Sequence, residues 1–113
     1  MTARNPSESI LLRAILQEYG SRPGIRLWRN NTGAARSRTG QVVRFGVPGQ
    51  ADITGVLAPY GRRIEIECKS ATGRQSEKQR RFQAMIEKHG GVYVLARETE
   101  DVERALADAG WRL

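Results

Sequence analysis

Asp52, Glu67 and Lys69 fall within one short stretch, GQADITGVLAPYGRRIEIECKSATGRQSEKQ, running from Gly49 to Gln79. Two carboxylates can hold Mg²⁺ or Mn²⁺, hard cations that keep several waters and take only one or two protein carboxylates alongside phosphate oxygens. Such a cation neutralises charge on a phosphodiester and acidifies water. A lysine beside it can orient or deprotonate the attacking water, or grip the scissile phosphate as a point charge. The residue types therefore point to metal-assisted phosphodiester hydrolysis, provided that folding brings the three side chains together.

The elements around them predict that it does. In Arg63-Ile64-Glu65-Ile66-Glu67-Cys68-Lys69 a period of two puts Ile64, Ile66 and Cys68 on one face of a strand. The other face carries Arg63, Glu65, Glu67 and Lys69. Asp52 opens a second strand pattern, Ile53 to Ala58, closed by the turn signal Pro59-Tyr60-Gly61. Antiparallel pairing of the two runs would set Asp52 beside Glu67 and Lys69. Ser76 is an N-cap signal for a helix from Glu77 to Lys88 burying Phe82, Met85 and Ile86, with His89 either on that stripe or a dipole-compatible cap at the helix C-terminus. One turn back from Phe82, Gln79 joins that stripe and faces the sheet, but it also occupies the capping-box position, so two roles compete for one side chain.

These residues resemble the VRR-NUC branch of the PD-(D/E)xK nuclease superfamily. The resemblance rests on Gly49-x-x-Asp52, Glu67-Cys68-Lys69-Ser70 and Ser76-x-x-Gln79, with Arg29-Asn30-Asn31-x-Gly33 upstream. It covers nearly the whole chain from Ser7, and departs at Ala51, where the family usually has proline. It implies an α/β restriction-endonuclease-like core: a central mixed sheet flanked by helices in the order αβββ(β)αβα. It implies Mg²⁺ or Mn²⁺ on Asp52, Glu67 and the Cys68 carbonyl, with Glu8 of the first helix as a further ligand. Lys69 would position or activate water, and Gln79 would support Lys69 or the phosphate. For a stand-alone member it implies a homodimer cutting branched DNA, as in Holliday-junction resolution. A basic DNA-binding module of the same fold, without chemistry, is the alternative, and an RNA nuclease would differ in substrate only.

Nineteen Lys and Arg against twelve Asp and Glu give +7 over 113 residues, which suits a polyanionic partner, above all nucleic acid. Arginine dominates, favouring bidentate phosphate contacts. The polar, basic stretch Asn30 to Gly40 reads as a flexible loop. It would follow a DNA backbone through Arg29, Arg36 and Arg38, with Asn30 and Asn31 donating to phosphate or orienting the site; the alternative is a solvated loop whose charges keep the protein soluble. Ser70 and Arg74, in the loop after Lys69, join these candidate contacts. The single cysteine, Cys68, excludes an internal disulfide and a thiolate zinc cluster and reads as a small buried side chain. No apolar run approaches the roughly 20 residues of a membrane span and no secretory segment opens the chain, so a single cytoplasmic domain is expected.

The remaining elements follow from periodicity. Ser7 is an N-cap signal for a helix from Glu8 to Tyr19 with a Leu11, Leu12, Ile15, Tyr19 stripe. Strands are expected at Ile25–Arg29 and Gln41–Phe45, with Gly46 and Gly49 in the turn before Asp52 able to let backbone approach a metal or phosphate. Val92–Ala96 reads as a central strand covered on both faces, parallel to the Glu67 strand. Thr99 would cap a last helix with Val102, Ala105, Leu106 and Ala109 inward, followed by Trp111-Arg112-Leu113 as an edge strand or a lid over the core.

Overall fold

The computed structural model describes residues 6–31 and 33–111. Among these residues nine elements occur in the order α1 (Pro6–Tyr19), β1 (Ile25–Arg29), β2 (Gly33–Arg36), β3 (Val42–Phe45), β4 (Ile53–Leu57), β5 (Arg62–Cys68), α2 (Glu77–Lys88), β6 (Val92–Ala96) and α3 (Glu100–Asp108). Four strands make a mixed sheet in the order β1-β4-β5-β6, while β2 and β3 form a separate two-stranded ribbon. β1, β4 and β5 are antiparallel neighbours; β5 and β6, linked through α2, are parallel. The chain is thus α/β, a mixed four-stranded sheet flanked by three helices. No helix among the described residues is long and apolar enough to cross a membrane.

The alternation in β5 divides two cores. Ile64, Ile66 and Cys68 pack with Leu12, Ile15 and Tyr19 of α1, Val102 and Leu106 of α3, and Val92, Val94 and Ala96. The opposite face is covered by α2, whose Phe82 and Ile86 pack with Ala51 and Tyr93. From Ile64 to Cys68 both faces of β5 are dry, so Glu65 and Glu67 on its polar face are buried too, while Arg63 stays exposed.

Several expectations are corrected. The first helix begins at Pro6, not after a Ser7 cap, because proline's fixed φ suits the first helical position. The segment from Asn30 to Gly40 is not all loop. Gly33–Arg36 pairs antiparallel with Val42–Phe45 despite weak strand propensity, because the partner strand supplies the main-chain bonds. β6 is an edge strand rather than a central one, dry because α2 and α3 cover its faces. Met85 is 40% exposed, since the buried stripe is only the Phe82–Ile86 row, and of the two readings of His89 the structure has the C-cap of α2. Thr99 makes no side-chain cap bond; the Asp101 carboxylate instead accepts from the Arg97 and Glu98 amides (2.8 and 3.1 Å). Trp111 packs on the core and donates its indole N–H to the Ala58 carbonyl (2.7 Å); Arg112 and Leu113 lie outside the described residues.

Candidate functional site

Ile53 pairs with Ile66 across β4 and β5, so the next positions outward, Asp52 and Glu67, face each other at the end of the ladder. The Cys68 amide donates to Asp52 Oδ2 (2.9 Å), joining the two strand ends through a side chain where the main-chain ladder stops. Behind Asp52, Asn30 clamps the chain twice: its amide donates to the Asp52 carbonyl and its side-chain Nδ2 to the Ala51 carbonyl, both at 2.8 Å. The Asn30 side chain therefore orients the site from within the fold.

Glu67 is only 3% exposed, under the first turn of α2. There the rivalry over Gln79 resolves, because the amide is used from both ends. Its Oε1 accepts from the Ser76 amide (2.9 Å) while the Gln79 amide donates to Ser76 Oγ (3.1 Å), completing the capping box. Its Nε2 donates to Glu67 Oε2 (2.8 Å).

Gly49 sets how closely the chain before Asp52 approaches that helix. With φ near +77°, it lies so close that a Cβ would stand 2.2 Å from the Lys78 carbonyl oxygen and 2.8 Å from the Gln79 nitrogen. What this glycine admits is the start of α2.

One layer deeper, Glu65 faces Thr54 across the ladder and is completely buried. Burial pushes its carboxyl above the ordinary value, against the pull of Thr54, Arg63 and Asn30. Arg63 Nε reaches Glu65 Oε2 at 3.3 Å. Beside Glu65 on β6, the Tyr93 phenol is pushed up to about 12, first by burial and then by the charges of Glu67, Asp52 and Glu65, with Gln75 opposing. Three carboxylates thus act on one phenol. Tyr93 stays a neutral donor and acceptor at physiological pH, held by Gln75 Nε2 (3.2 Å).

Lys69 lies one residue past β5, half-buried, with its amide on the Ala96 carbonyl (2.9 Å); continuing the alternation assigns it to the Glu67 side. Glu8 reaches this end of the sheet from α1, its Oε2 accepting from the Ser70 amide (3.2 Å). Ser70 is a loop builder: its Oγ accepts from the Gly73 amide (3.1 Å), and its carbonyl and that of Gly73 both accept from Arg97 (2.5 and 2.7 Å). Arg97 carries no sequence signal for this role, and only the return of β6 beside β5 brings it there. The Cys68 side chain is buried, as expected.

The basic candidates separate. Arg29 ends β1, Arg36 and Arg38 are exposed on the ribbon, and Arg74 is exposed in the loop after β5. Arg36 donates to the Gly40 carbonyl (3.2 Å), closing the ribbon turn. Asn31 is exposed between β1 and the ribbon.

No three His, Cys, Asp or Glu side chains among the described residues come together as a ready-made metal cage. Two carboxylates with a main-chain carbonyl is nevertheless an all-oxygen set of the kind that hard divalent cations accept, the remaining positions going to water and phosphate. The residues fit such an ion, which Asp52 and Glu67 could hold. No protein-family model matches the chain, and a search of curated proteins finds no relative for it.

Proposed function

We propose that this chain is a metal-dependent nuclease of the VRR-NUC type, with a restriction-endonuclease-like core, hydrolysing DNA phosphodiester bonds as a homodimer with a preference for branched substrates. The observation that carries this reading is the register of β4 and β5, which sets Asp52 opposite Glu67, with Gln79 bonded to Glu67 and the Cys68 amide bonded to Asp52. Neutral N–H donors on acidic side chains hold them in place without cancelling their charge. A basic surface recruits the polyanion, and the charge of +7 favours that encounter.

Bound Mg²⁺ or Mn²⁺ would supply charge neutralisation at the phosphodiester and acidify water. Asp52 and Glu67 would hold the ion, with the Cys68 carbonyl and Glu8 contributing from the same end of the sheet. Lys69 orients or deprotonates the attacking water or holds the scissile phosphate. Gln79 fixes the Glu67 carboxylate, and Asn30 fixes the backbone that carries Asp52.

Supercoiled plasmid and synthetic four-way junctions, incubated with Mg²⁺, Mn²⁺ or EDTA, test the reading. Cleavage is expected with either metal and is lost in EDTA and in Glu67→Ala and Lys69→Ala. Cutting that survives EDTA or both substitutions would sink the mechanism. Junction binding without any cutting would leave the alternative, a basic DNA-binding module.

A further inference from the structure

Between α1 and the end of β1 lies a cavity of about 220 Å³ lined by Ser9, Leu12, Arg13 and Arg29. Among the described residues that line it, two of four are arginines and none is acidic. Neither guanidinium has a hydrogen bond or ion pair with another described residue, whereas Arg22, Arg62, Arg63, Arg81, Arg97 and Arg104 are all tied to carbonyls or carboxylates. Leu12 belongs to the main core, so the floor is fixed.

Two guanidiniums and a hydroxyl supply donors in a fork geometry that matches phosphate oxygens. Their mutual repulsion falls when an anion sits between them. The volume is below the roughly 300–1,000 Å³ of drug-sized ligand sites, which favours one small anionic group over a whole nucleotide.

We propose that this pocket seats one phosphate of a nucleic-acid strand, with Arg13 and Arg29 donating to its oxygens and Ser9 adding a third donor. This anchoring point rests on the nucleic-acid reading above and extends it. Arg29 pairs with Ile53, the neighbour of Asp52, so the anchored strand is held at the end of the sheet that carries the two carboxylates.

The test is run in EDTA, so that it is independent of cleavage. Inorganic phosphate is titrated against protein labelled for detection of arginine Nε–H resonances, and labelled duplex DNA is bound to wild type, Arg13→Gln and Lys88→Gln. Phosphate is expected to move the Arg13 and Arg29 signals ahead of the other arginines. Arg13→Gln is expected to abolish the Arg29 response, weaken DNA binding about fivefold near physiological salt and lower the salt slope by about one. Equal movement of all arginines, or a loss no greater than that of Lys88→Gln, overturns the proposal. A phosphate response without a DNA effect overturns it in favour of a free-anion site. An inactive protein that still shows the expected pattern would sink the nuclease reading and leave the pocket standing.

Discussion

Gln79 donates to Glu67 Oε2 at 2.8 Å through one end of its amide while the other end caps α2 at Ser76. One side chain thereby couples the start of a helix to a buried acid, and the two functions can be separated by substitution. Gln79→Glu preserves the capping-box chemistry but sets a second carboxylate against Glu67. It is expected to leave the helix intact by circular dichroism and to lower cleavage by at least about tenfold, a barrier increase of about 1.4 kcal/mol. Gln79→Ala removes both bonds and is expected to cost on the order of 1 kcal/mol in urea denaturation as well. Wild-type cutting by Gln79→Glu would show that the bond to Glu67 has no catalytic bearing.

Gly49→Ala adds a clash to a conformational penalty. A left-handed backbone costs a non-glycine residue roughly 1–2 kcal/mol, and the Lys78 carbonyl already fills the space that the added methyl would need. Overpacking of this kind adds roughly 1–3 kcal/mol. Gly61 has a similar φ, +75°, but open space around it, so Gly61→Ala bears the backbone cost alone. Chemical denaturation should therefore rank Gly49→Ala well below Gly61→Ala; equal losses would contradict the close approach to α2.

Arg97 holds the loop after Lys69 through the Ser70 and Gly73 carbonyls. Arg97→Ala frees that loop while leaving the strands paired. Trypsin is expected to cut after Arg74 several-fold faster in the variant, with the site identified by mass spectrometry. Unchanged cutting there would mean that the loop is held by other contacts.

The pH dependence of α3 follows from Asp101. Burial pushes its carboxyl up, but the Arg97 amide, the Arg104 side chain and the Glu98 amide outweigh burial and hold it below the ordinary 3.8. A carboxyl lowered in the folded state stabilises above its unfolded value and loses that contribution as pH falls through the folded one. Asp101→Asn should therefore be less stable than wild type near neutrality, by on the order of 1 kcal/mol for a lost cap, with the difference closing below pH 3.8. A gap constant across that window would dissociate the cap from its charge.

Strict alternation made β5 legible down to the faces of Ile64, Ile66 and Cys68, and the turn at Pro59-Tyr60-Gly61 made its pairing with β4 legible as well. Both are local signals, and together they fix the register that opposes Asp52 to Glu67. The burial of Glu65 was not legible, since alternation says which residues share a face but not that a helix will cover the polar one. The strand at Gly33–Arg36 was hidden because glycine and alanine carry little strand preference and the pairing partner, Val42–Phe45, lies across a turn. The double clamp by Asn30 and the span of Arg97 join segments distant in sequence, and their bonds go to main-chain carbonyls, which every residue possesses.

The β2–β3 ribbon closes its hydrogen bonds upon itself, apart from the four-stranded sheet, and exposes Val42 and Val43 at 58% and 49%. Its outer residues can be rewritten, lengthened or swapped without disturbing the ladder that sets Asp52 against Glu67. Variation in the one need not propagate into the other, because no strand of the ribbon is hydrogen-bonded into the four-stranded sheet.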